Sequence, residues 1–359
     1  MTDLDYLANI QCDIFDPKEV PITLGNSIIC DGFIKDKTTA VFSHFHSDHI
    51  KNFNRTLTNC DHIILTEATF NAIEAIKNEQ FNRGNFEKLP YGRKFHTDKG
   101  ETIELINANH VPGSCQVYVE MEEDGAKILY SGDFCYPGIQ VPKCDVLVLE
   151  AEHGTPTFDY DTDKPSILRT IFDEVYDTLV LQGKPVEIRA HRGTMQDIMA
   201  QLESGNDGNI IPEEVPFLSD EPHIRLTKAL ENQYSKPIRE IQSADDGLLN
   251  ELYDKKQPYV RFAQVGQSTP QEQRAGIIIQ ADVNMGFKDH GPFFTTNNHR
   301  YFACLSSHSS YENILEYVKK ASPKLVLVDG TRTDKQIAMN LANKISQDFH
   351  IRSVVKSCP

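Results

Sequence analysis

Four side chains suited to binding a divalent metal lie within six residues of one another in the segment TTAVFSHFHSDHI: His44, His46, Asp48 and His49. The apolar residues before them predict a buried strand, on which His44 and His46 share one face. The turn that follows brings Asp48 and His49 to the other side of the same pocket. Because imidazole and carboxylate are the ligands that borderline and hard divalent ions prefer, the segment offers two adjacent metal positions. The alternative, a solvated histidine-rich loop, requires no apolar strand leading into it.

Two further metal-binding side chains follow predicted strands. His110, in NANHVPGSC, comes after the strand Thr102–Ile106 and before a Pro-Gly turn that holds the imidazole at the strand end. Asp133, in ILYSGDF, ends another apolar strand, from which a carboxylate can reach two metal ions and hold them about 3.5–4 Å apart. Alone, each would more often be an ordinary loop histidine or turn aspartate, so the hypothesis depends on the whole set.

Glu150 and His308 are two further candidate members of the same pocket. Glu150, in DVLVLEAEHG, leaves a buried strand, and Glu152 and His153 follow it within three residues. A carboxylate there either orients a ligating histidine through its second ring nitrogen or caps the turn. His308, in CLSSHSSYENIL, lies where a strand gives way to a helix, and a helix N-terminus favours a phosphate oxygen or another anion. A helix-capping turn is the structural alternative for His308.

The first half of the chain supplies mainly strands to position these residues. Apolar or alternating runs predict strands over Ile22–Ile29, Thr38–Phe45, His62–Leu65, Thr102–Ile106, Gln116–Met121, Lys127–Tyr130 and Val146–Glu150. The segment Thr66–Phe81 has a threonine suited to an N-cap and apolar residues at helical spacing, which predict an amphipathic helix. The turn residues Glu123-Asp124-Gly125 predict a hairpin.

After Gly154-Thr155-Pro156 the predicted helices and strands alternate, which indicates an α/β insert. Helices are predicted over Ser166–Leu181, Thr194–Leu202, Tyr311–Lys320 and Lys335–Gln347. Strands are predicted over Val186–Ile188, Tyr259–Val265, Ile277–Ala281, Tyr301–Leu305, Leu325–Val328 and Ile351–Val355. The polar segment Ser204–Asn209 leads into a longer irregular stretch, and Asp289–Asn298 is predicted to be a loop.

The composition is that of a globular protein, with 359 residues of which 39% are hydrophobic. No apolar run approaches the roughly 20 residues that a membrane span needs, and the first residues are acidic, so we expect a cytoplasmic protein without a membrane partner. The eight cysteines include no C-x-x-C pair, which favours reduced thiols over disulfides or a cysteine zinc site.

The net charge of −16 repels polyanions, so a nucleic-acid site would need a local basic groove or bound cations. One small basic cluster lies in EIRAHRG, within the predicted insert: Arg189, His191 and Arg192. This cluster either clamps a backbone phosphate or is a solvated face.

Taken together, the motifs resemble a known family. HFHSDH at His44–His49, ANHVPGS around His110 and SGDF around Asp133 resemble the successive motifs of the metallo-β-lactamase superfamily. More narrowly, SHFHSDHI, ANHVPGS, LYSGDF and SSHSSYENILEYV resemble the β-CASP nucleases, which include RNase J, the cleavage-and-polyadenylation endonuclease and the Artemis-type DNA nucleases. The resemblance covers Ile22–Glu150 and Tyr301–Asp329. Between them, VEIRAHRGTMQDIMAQL is faintly similar to the strand and helix that open the family's inserted domain.

The resemblance implies an α/β fold, a four-layer αβ/βα metallo-β-lactamase sandwich with an inserted α/β, β-CASP-like cap domain. Residues 1–154 and 301–359 would form the metallo-β-lactamase domain and residues 155–300 the inserted domain. The metals would lie at one edge of the two sheets, beside a cleft under the cap.

The resemblance also implies roles for individual residues. One zinc ion would be bound by His44, His46 and His110, and a second by Asp48 and His49, with Asp133 bridging the two. Glu150 matches the acid of the first β-CASP motif, which supports the ligand set. His308 matches the histidine of the second motif, which contacts the scissile phosphate or protonates the leaving oxygen.

The third β-CASP motif differs in this chain. RNA-processing members have a histidine in a VHGE-like string and DNA-processing members a valine, whereas this chain has LVLVDGTR. Asp329 is the residue that would stand in for the histidine, and as a carboxylate it would complete the second metal site.

These expectations define a zinc-dependent phosphodiester hydrolase, a nuclease that cleaves single-stranded RNA or DNA through a hydroxide activated by two Zn²⁺ ions. Asp48, His308 and Glu150 are its expected catalytic residues, cleavage is exo- or endonucleolytic, in RNA processing or DNA repair, and a homodimer is one assembly that the sequence allows. The alternative is a small-molecule hydrolase with the same dinuclear site, a lactonase, β-lactamase-like enzyme or esterase, which suits the acidic composition. A scaffold without metals is disfavoured by the intact cluster His44–His49.

Overall fold

The computed structural model of the chain describes residues 4–10, 20–158, 163–267, 274–282, 290–297 and 299–356. The chain forms two compact units: unit 1 comprises Met1–Ile73, Gln80–Tyr160 and Ser307–Pro359, and unit 2 comprises Glu74–Glu79 and Asp161–Ser306. No helix among the described residues is long and apolar enough to cross a membrane. Cys12 and Cys358 lie outside these ranges, and the six described cysteines are free thiols.

Unit 1 contains a six-stranded sheet whose strands follow one another in chain order. Its strands are β1 (Ala8–Ile10), β2 (Ile22–Leu24), β3 (Ile28–Cys30), β4 (Thr39–Val41), β5 (His62–Leu65) and β6 (Phe86–Lys88). The pairs from β1 to β3 are antiparallel and those from β3 to β6 are parallel. The predicted strands Ile22–Ile29 and Thr38–Phe45 were too long, because a turn interrupts the first and β4 ends at Val41.

The second sheet of unit 1 has seven strands in the order β20-β19-β11-β10-β9-β8-β7. They are β7 (Lys94–His96), β8 (Glu101–Asn107), β9 (Cys115–Met121), β10 (Lys127–Tyr130), β11 (Val146–Leu149), β19 (Leu325–Asp329) and β20 (Arg352–Lys356). The hairpin predicted between β9 and β10 is confirmed by their antiparallel pairing. The strands β10, β11, β19 and β20 run parallel, so their carboxyl ends meet at one edge of the sheet.

The helices of unit 1 are α1 (Phe53–Asn59), α2 (Glu67–Lys77), α7 (Tyr311–Ala321) and α8 (Lys335–Phe349). The two sheets share one core, in which Leu24 and Ile28 of the first pack with Val117 and Ile128 of the second.

Helices cover both outer faces of this pair of sheets. The outer face of the second sheet packs, through residues such as Leu147, against Ile314 of α7 and Leu341 of α8. On the first sheet, Phe53 of α1 lies 5.1 Å from Phe42 between ring centroids, and Phe70 of α2 lies 4.9 Å from Phe86. Unit 1 is therefore an α/β sandwich of two sheets with helices on both outer faces, as the sequence predicted.

Unit 2 is built on one seven-stranded sheet in the order β14-β13-β15-β12-β16-β18-β17. Its strands are β12 (Val186–Ala190), β13 (Phe217–Ser219), β14 (Ile241–Ser243), β15 (Val260–Gln264), β16 (Ile277–Ala281), β17 (Phe293–Asn297) and β18 (Arg300–Ala303). All neighbouring pairs are parallel except β17 with β18. The helices are α3 (Lys164–Tyr176), continued by a π-helical turn at Asp177–Leu181, α4 (Thr194–Ser204), α5 (Glu221–Ala229) and α6 (Asp246–Asp254).

Two predictions for this part of the chain were wrong. The predicted loop Asp289–Asn298 contains β17, whose partly exposed residues carry no apolar run, although Asp289 and Asn298 themselves lie outside the described residues. The stretch predicted to be irregular after Asn209 contains α5 and α6, short polar helices capped by the side chains of Asp220 and Asp245.

Candidate metal centre

The histidine-rich segment lies in the loop directly after β4. Backbone hydrogen bonds hold this loop against both sheets of unit 1, from Phe42 N to Ile64 O at 3.0 Å and from Cys115 N to Ser43 O at 2.9 Å. His44 and His46 nevertheless come together, with 4.7 Å between their ring centroids. The loop is therefore positioned by the neighbouring strands and not by strand alternation of its own.

Four of the predicted ligands form one compact group. The donor atoms of His44, His46, His110 and Asp133 all lie within 4.8 Å of one another. His110 Nε2 lies 3.1 Å from His46 Nδ1, and Asp133 Oδ2 lies 3.6 Å from His44 Nε2 and 3.7 Å from His110 Nε2. The side chains of His44 and His110 are fully buried. Three imidazoles and one carboxylate thus converge from three separate loops.

Asp48 and His49 meet Asp133 on the other side of this carboxylate. His49 Nε2 lies 3.4 Å from Asp48 Oδ2 and 3.4 Å from Asp133 Oδ2. His49 is buried, whereas 47% of the Asp48 side chain is exposed. Asp133 is thereby placed between two sets of side chains.

Glu150 and His308 lie on a third side of Asp133. The donor atoms of Asp133, Glu150 and His308 lie within 4.8 Å of one another. His308 Nδ1 is 3.1 Å from both oxygens of Glu150, and the backbone N–H of Phe134 also donates to Glu150, at 3.0 Å. Burial opposes protonation of His308, but the nearby carboxylates of Glu150 and Asp133 raise its pKa to about 10. The geometry is that of a histidine oriented by a carboxylate.

The electrostatics of the centre favour a bound cation. The Nε2 atoms of His44 and His49 are buried and have no hydrogen-bond partner among the described residues. Burial and the neighbouring His49 lower the pKa of His44, and burial and His308 lower that of His110, which favours the neutral imidazole that binds metals. Burial opposes ionisation of Asp133, but the facing His49 and His44 hold its pKa below the usual range. Donor types and unpaired nitrogens together fit a divalent metal.

Asp31 is a member of the centre that the sequence reasoning missed. Its buried carboxylate accepts hydrogen bonds from His49 Nδ1 at 2.8 Å, from Ser43 N at 2.7 Å and from the Tyr130 hydroxyl at 2.8 Å. The Ser43 hydroxyl, which also donates to Asp31, lies 3.0 Å from His44 Nδ1. An aspartate that ends an apolar run, in SIICDG, was the available signal.

Asp329 lies at the end of β19, but it is in neither group of donor atoms described above. Its carboxylate accepts from Arg332 Nη1 at 2.7 Å and from the backbone N–H and hydroxyl of Thr331. His153, three residues after Glu150, is buried with Nδ1 3.0 Å from Ser309 O, and its ring centroid lies 5.5 Å from that of His308.

One member of the basic cluster predicted in unit 2, Arg189, is not exposed. Arg189 is buried in β12, where its Nε and Nη2 donate to Glu187 Oε1 at 2.7 and 2.6 Å. His191 lies beside Gln264, with 3.1 Å between His191 Nδ1 and the Gln264 amide nitrogen. Because Arg189 is held by an ion pair inside the unit, it is not a surface group that meets a phosphate.

No family model matches the chain. It is 26% identical over 243 residues to an RNase J-like protein of Methanocaldococcus jannaschii, covering 58% of this chain and 56% of that protein. It is 36% identical over 117 residues to an uncharacterised protein in the lig 3′ region of Acidianus ambivalens, covering 32% of this chain and 79% of that protein. It is 26% identical over 153 residues to a DNA cross-link repair 1A protein of Mus musculus, covering 40% of this chain and 14% of that protein.

The chain thus spans about half the length of the RNase J-like protein, 56%, and a smaller part of the mouse protein. Among solved structures, a protein of unknown function from Enterococcus faecalis V583 shares the fold, with a TM-score of 0.53 at 10% identity, covering 86% of this chain and 90% of that one. The sandwich of unit 1, the order of the motifs and the relatives all point to the same family. The chain belongs to the metallo-β-lactamase superfamily and, within it, to the β-CASP nuclease family.

Proposed function

We propose that this protein is a zinc-dependent nuclease that hydrolyses phosphodiester bonds in single-stranded RNA or DNA. The observation that carries the proposal is the convergence on Asp133 of two groups, the imidazoles of His44, His46 and His110, which could hold a metal ion, and the His308–Glu150 pair. The ring centroids of His308 and His110 lie 4.6 Å apart, so a phosphate held by the first group would be within reach of the second. The printed names of two relatives, an RNase J-like protein and a DNA cross-link repair protein, support nucleic acid as the substrate class.

The residues that would hold the metals follow from the two sides of Asp133. His44, His46 and His110 would hold one Zn²⁺ ion with Asp133. Asp48 and His49 would hold a second ion on the opposite side and share that carboxylate. When bound, a pair of divalent ions supplies hydroxide near neutral pH and stabilises the negative charge that develops on the attacked phosphate.

His308 and Glu150 act on the leaving group in this proposal. Glu150 holds His308 Nδ1, which fixes the ring and makes Nε2 the atom that would contact a phosphate oxygen or donate a proton to the leaving oxygen. A positioned acid of this kind contributes typically about 10²–10⁴-fold in rate. Glu150 acts through His308 and is a positioning residue.

We also propose that unit 2 is the inserted domain of the family, within boundaries near residues 155 and 300. Its parallel sheet is formed by one continuous part of the chain, and β19 and β20 of unit 1 follow it in sequence. The proposed fold of the chain is therefore a four-layer sandwich with an inserted β-CASP-like domain.

A small-molecule hydrolase is the second candidate, and the net charge of −16 is the observation that favours it. Polyanions are repelled by such a charge, whereas a neutral lactone or ester is not. A salt titration separates the two, because binding of a phosphate backbone weakens steeply with salt and hydrolysis of a neutral ester barely responds.

The decisive experiment is hydrolysis of end-labelled single-stranded RNA, DNA of the same sequence, and a chromogenic lactone or lactam. Wild type and His46→Ala are compared after loading with Zn²⁺. Cleavage of nucleic acid that is lost in the variant supports the nuclease, and product lengths distinguish exo- from endonucleolytic cleavage. Turnover of the small ester alone, by folded wild-type protein, would refute the nuclease proposal.

A further inference from the structure

We propose that Asp329 and Arg332 form a positioning pair that holds Asp31 and, through Asp31, sets the orientation of His49 in the metal centre. The inference rests on the metal centre of the proposed function. It assigns Asp329 a role other than the metal ligand that its place in the sequence suggested. All four residues belong to unit 1.

The carboxylate of Asp329 is engaged on both oxygens. Arg332 Nη1 donates to Oδ2 at 2.7 Å, and the backbone N–H of Thr331 donates to Oδ1 at 2.9 Å, joined there by the Thr331 hydroxyl. Both partners are largely buried, with 6% of the Asp329 side chain and 14% of the Arg332 side chain exposed. The guanidinium of Arg332 neutralises the negative charge of the Asp329 carboxylate, which therefore needs no metal ion as its counter-charge.

The other side of the guanidinium reaches the turn that carries Asp31. Arg332 Nη2 donates to Val20 O at 2.8 Å and lies 3.4 Å from Asp31 O, a residue 301 positions earlier in the chain. Asp31 has a φ of +50°, in the left-handed region that non-glycine residues occupy when their surroundings hold them there. Arg332 thus ties two adjacent backbone segments together at the point where Asp31 turns inward.

From this turn, Asp31 controls His49. Its carboxylate accepts His49 Nδ1–H at 2.8 Å, so the opposite nitrogen, Nε2, points to Asp48 and Asp133 at 3.4 Å each. A carboxylate on the second nitrogen of a ligating histidine fixes both the tautomer and the ring orientation. A shift of the Asp31 turn would therefore rotate His49 Nε2 away from the metal position.

The test compares Asp329→Asn, Arg332→Met and the double variant with wild type, and adds Arg332→Lys in case the methionine variant does not fold. Arg352→Met is the matched control, because it removes an arginine from the neighbouring strand β20 that is paired with Asp5 at the same 2.7 Å but is exposed. Co²⁺ is the probe: its stoichiometry, its affinity in competition with a chelator and its visible absorption are measured. Urea unfolding of the metal-free proteins is measured in parallel.

We expect each single variant to weaken the more loosely bound Co²⁺ about 10–100-fold and to alter its absorption spectrum, as loss of an outer partner of a ligating histidine does. The double variant should lose no more than the larger single effect, because both residues act through Asp31. Arg332→Lys should fall between wild type and Arg332→Met, and the control should match wild type.

Three outcomes would overturn the inference. Loss of one Co²⁺ ion in Asp329→Asn with full binding in the Arg332 variants would make Asp329 a ligand. Unchanged Co²⁺ affinity and spectrum in all variants, with weaker resistance to urea, would make the pair purely structural. Wild-type protein that binds no Co²⁺ would instead refute the metal centre itself, and the inference with it.

Discussion

The Nδ1 atom of His308 lies 3.1 Å from each carboxylate oxygen of Glu150, a residue 158 positions earlier in the chain. Glu150 directly follows β11, at the edge where the carboxyl ends of β10, β11 and β19 meet, and His308 lies just before α7. The pair is fixed by this topology, because it depends on the packing of α7 and β11 in unit 1 and not on local sequence. Neither residue is a predicted zinc ligand, so the contribution of the pair can be measured without removing one.

Replacement of Glu150 by Gln should lower kcat about 10–100-fold and leave the metal content unchanged. The amide keeps the shape but removes the charge that holds His308, whereas His308→Asn should remove the full contribution of about 10²–10⁴-fold. Single-turnover cleavage and elemental analysis of the same samples are the measurements. The double variant should be no slower than His308→Asn. Loss of metal in Glu150→Gln would show instead that Glu150 is a ligand.

Metal removal should destabilise the protein, and His46→Ala should abolish most of that difference. A ligand that binds only the folded state stabilises by about 2.7 kcal/mol at a concentration of 100 times its Kd. Thermal unfolding of the chelated and Zn²⁺-loaded forms measures the effect. His96→Ala is the control, because His96 is 66% exposed, pairs with Glu122 and belongs to neither group of donor atoms in the metal centre. An equal Zn²⁺-dependent shift in Tm for His46→Ala and wild type would contradict the assigned site.

The sequence predicted much of this centre because its signals are local. His110 and Asp133 each lie three residues after the end of a strand with buried apolar residues, and such strand ends meet at one edge of a sheet. Asp31 gave a similar signal but was missed, since a single strand-end aspartate is more often a turn residue. The contact of Arg332 with Asp31 joins two segments 301 positions apart, and no local pattern encodes it. The ion pair of Asp329 with Arg332, by contrast, joins residues only three positions apart in DGTR, and it was missed because Asp329 was assigned to the metal site.

Glu101→Gln should destabilise unit 1 by about 2–3 kcal/mol. The Glu101 side chain is fully buried and accepts from the N–H groups of Asn26 and Ser27 at 2.6 and 2.8 Å and from two hydroxyls. An amide would turn an NH₂ group toward at least one of these donors, and hydrogen bonds to a charged group are worth about 1.5–3 kcal/mol. The urea midpoint is the measurement. Glu104→Gln, on the same strand but only half-buried, should shift the midpoint far less.

Arg239→Lys should loosen the segment between α4 and β13 in unit 2. The guanidinium makes a two-point contact with Glu203, donates to the carbonyls of Pro212 and Val215 at 2.7 and 3.0 Å, and lies 4.4 Å from the Phe217 ring centroid. A lysine offers one ammonium group in place of this planar fork.

Hydrogen exchange across residues 204–217 measures the effect, and faster exchange is expected there than in β12. Lys255→Ala, which breaks an exposed ion pair with Glu251, is the control and should leave this segment unchanged. Equal exchange in Arg239→Lys and wild type would show that the backbone contacts of Arg239 do not stabilise the segment.

Asp220→Asn should remove a pH-dependent part of the stability of unit 2. His223 donates to Asp220 Oδ1 at 2.5 Å, and this hydrogen bond holds the pKa of Asp220 below its usual range. Because the pKa is lower in the folded state, the stabilisation is complete above the unfolded value of about 3.9 and is lost as the pH falls through the folded value. Asparagine retains the N-cap of α5, so the variant isolates the charge. We therefore expect wild type to be more stable than Asp220→Asn above about pH 5, and the difference in stability to shrink below about pH 3.9. Urea unfolding midpoints of both proteins between about pH 2.5 and about pH 7 measure this difference. A difference that stays constant across this range would show that the carboxylate acts only as a helix cap.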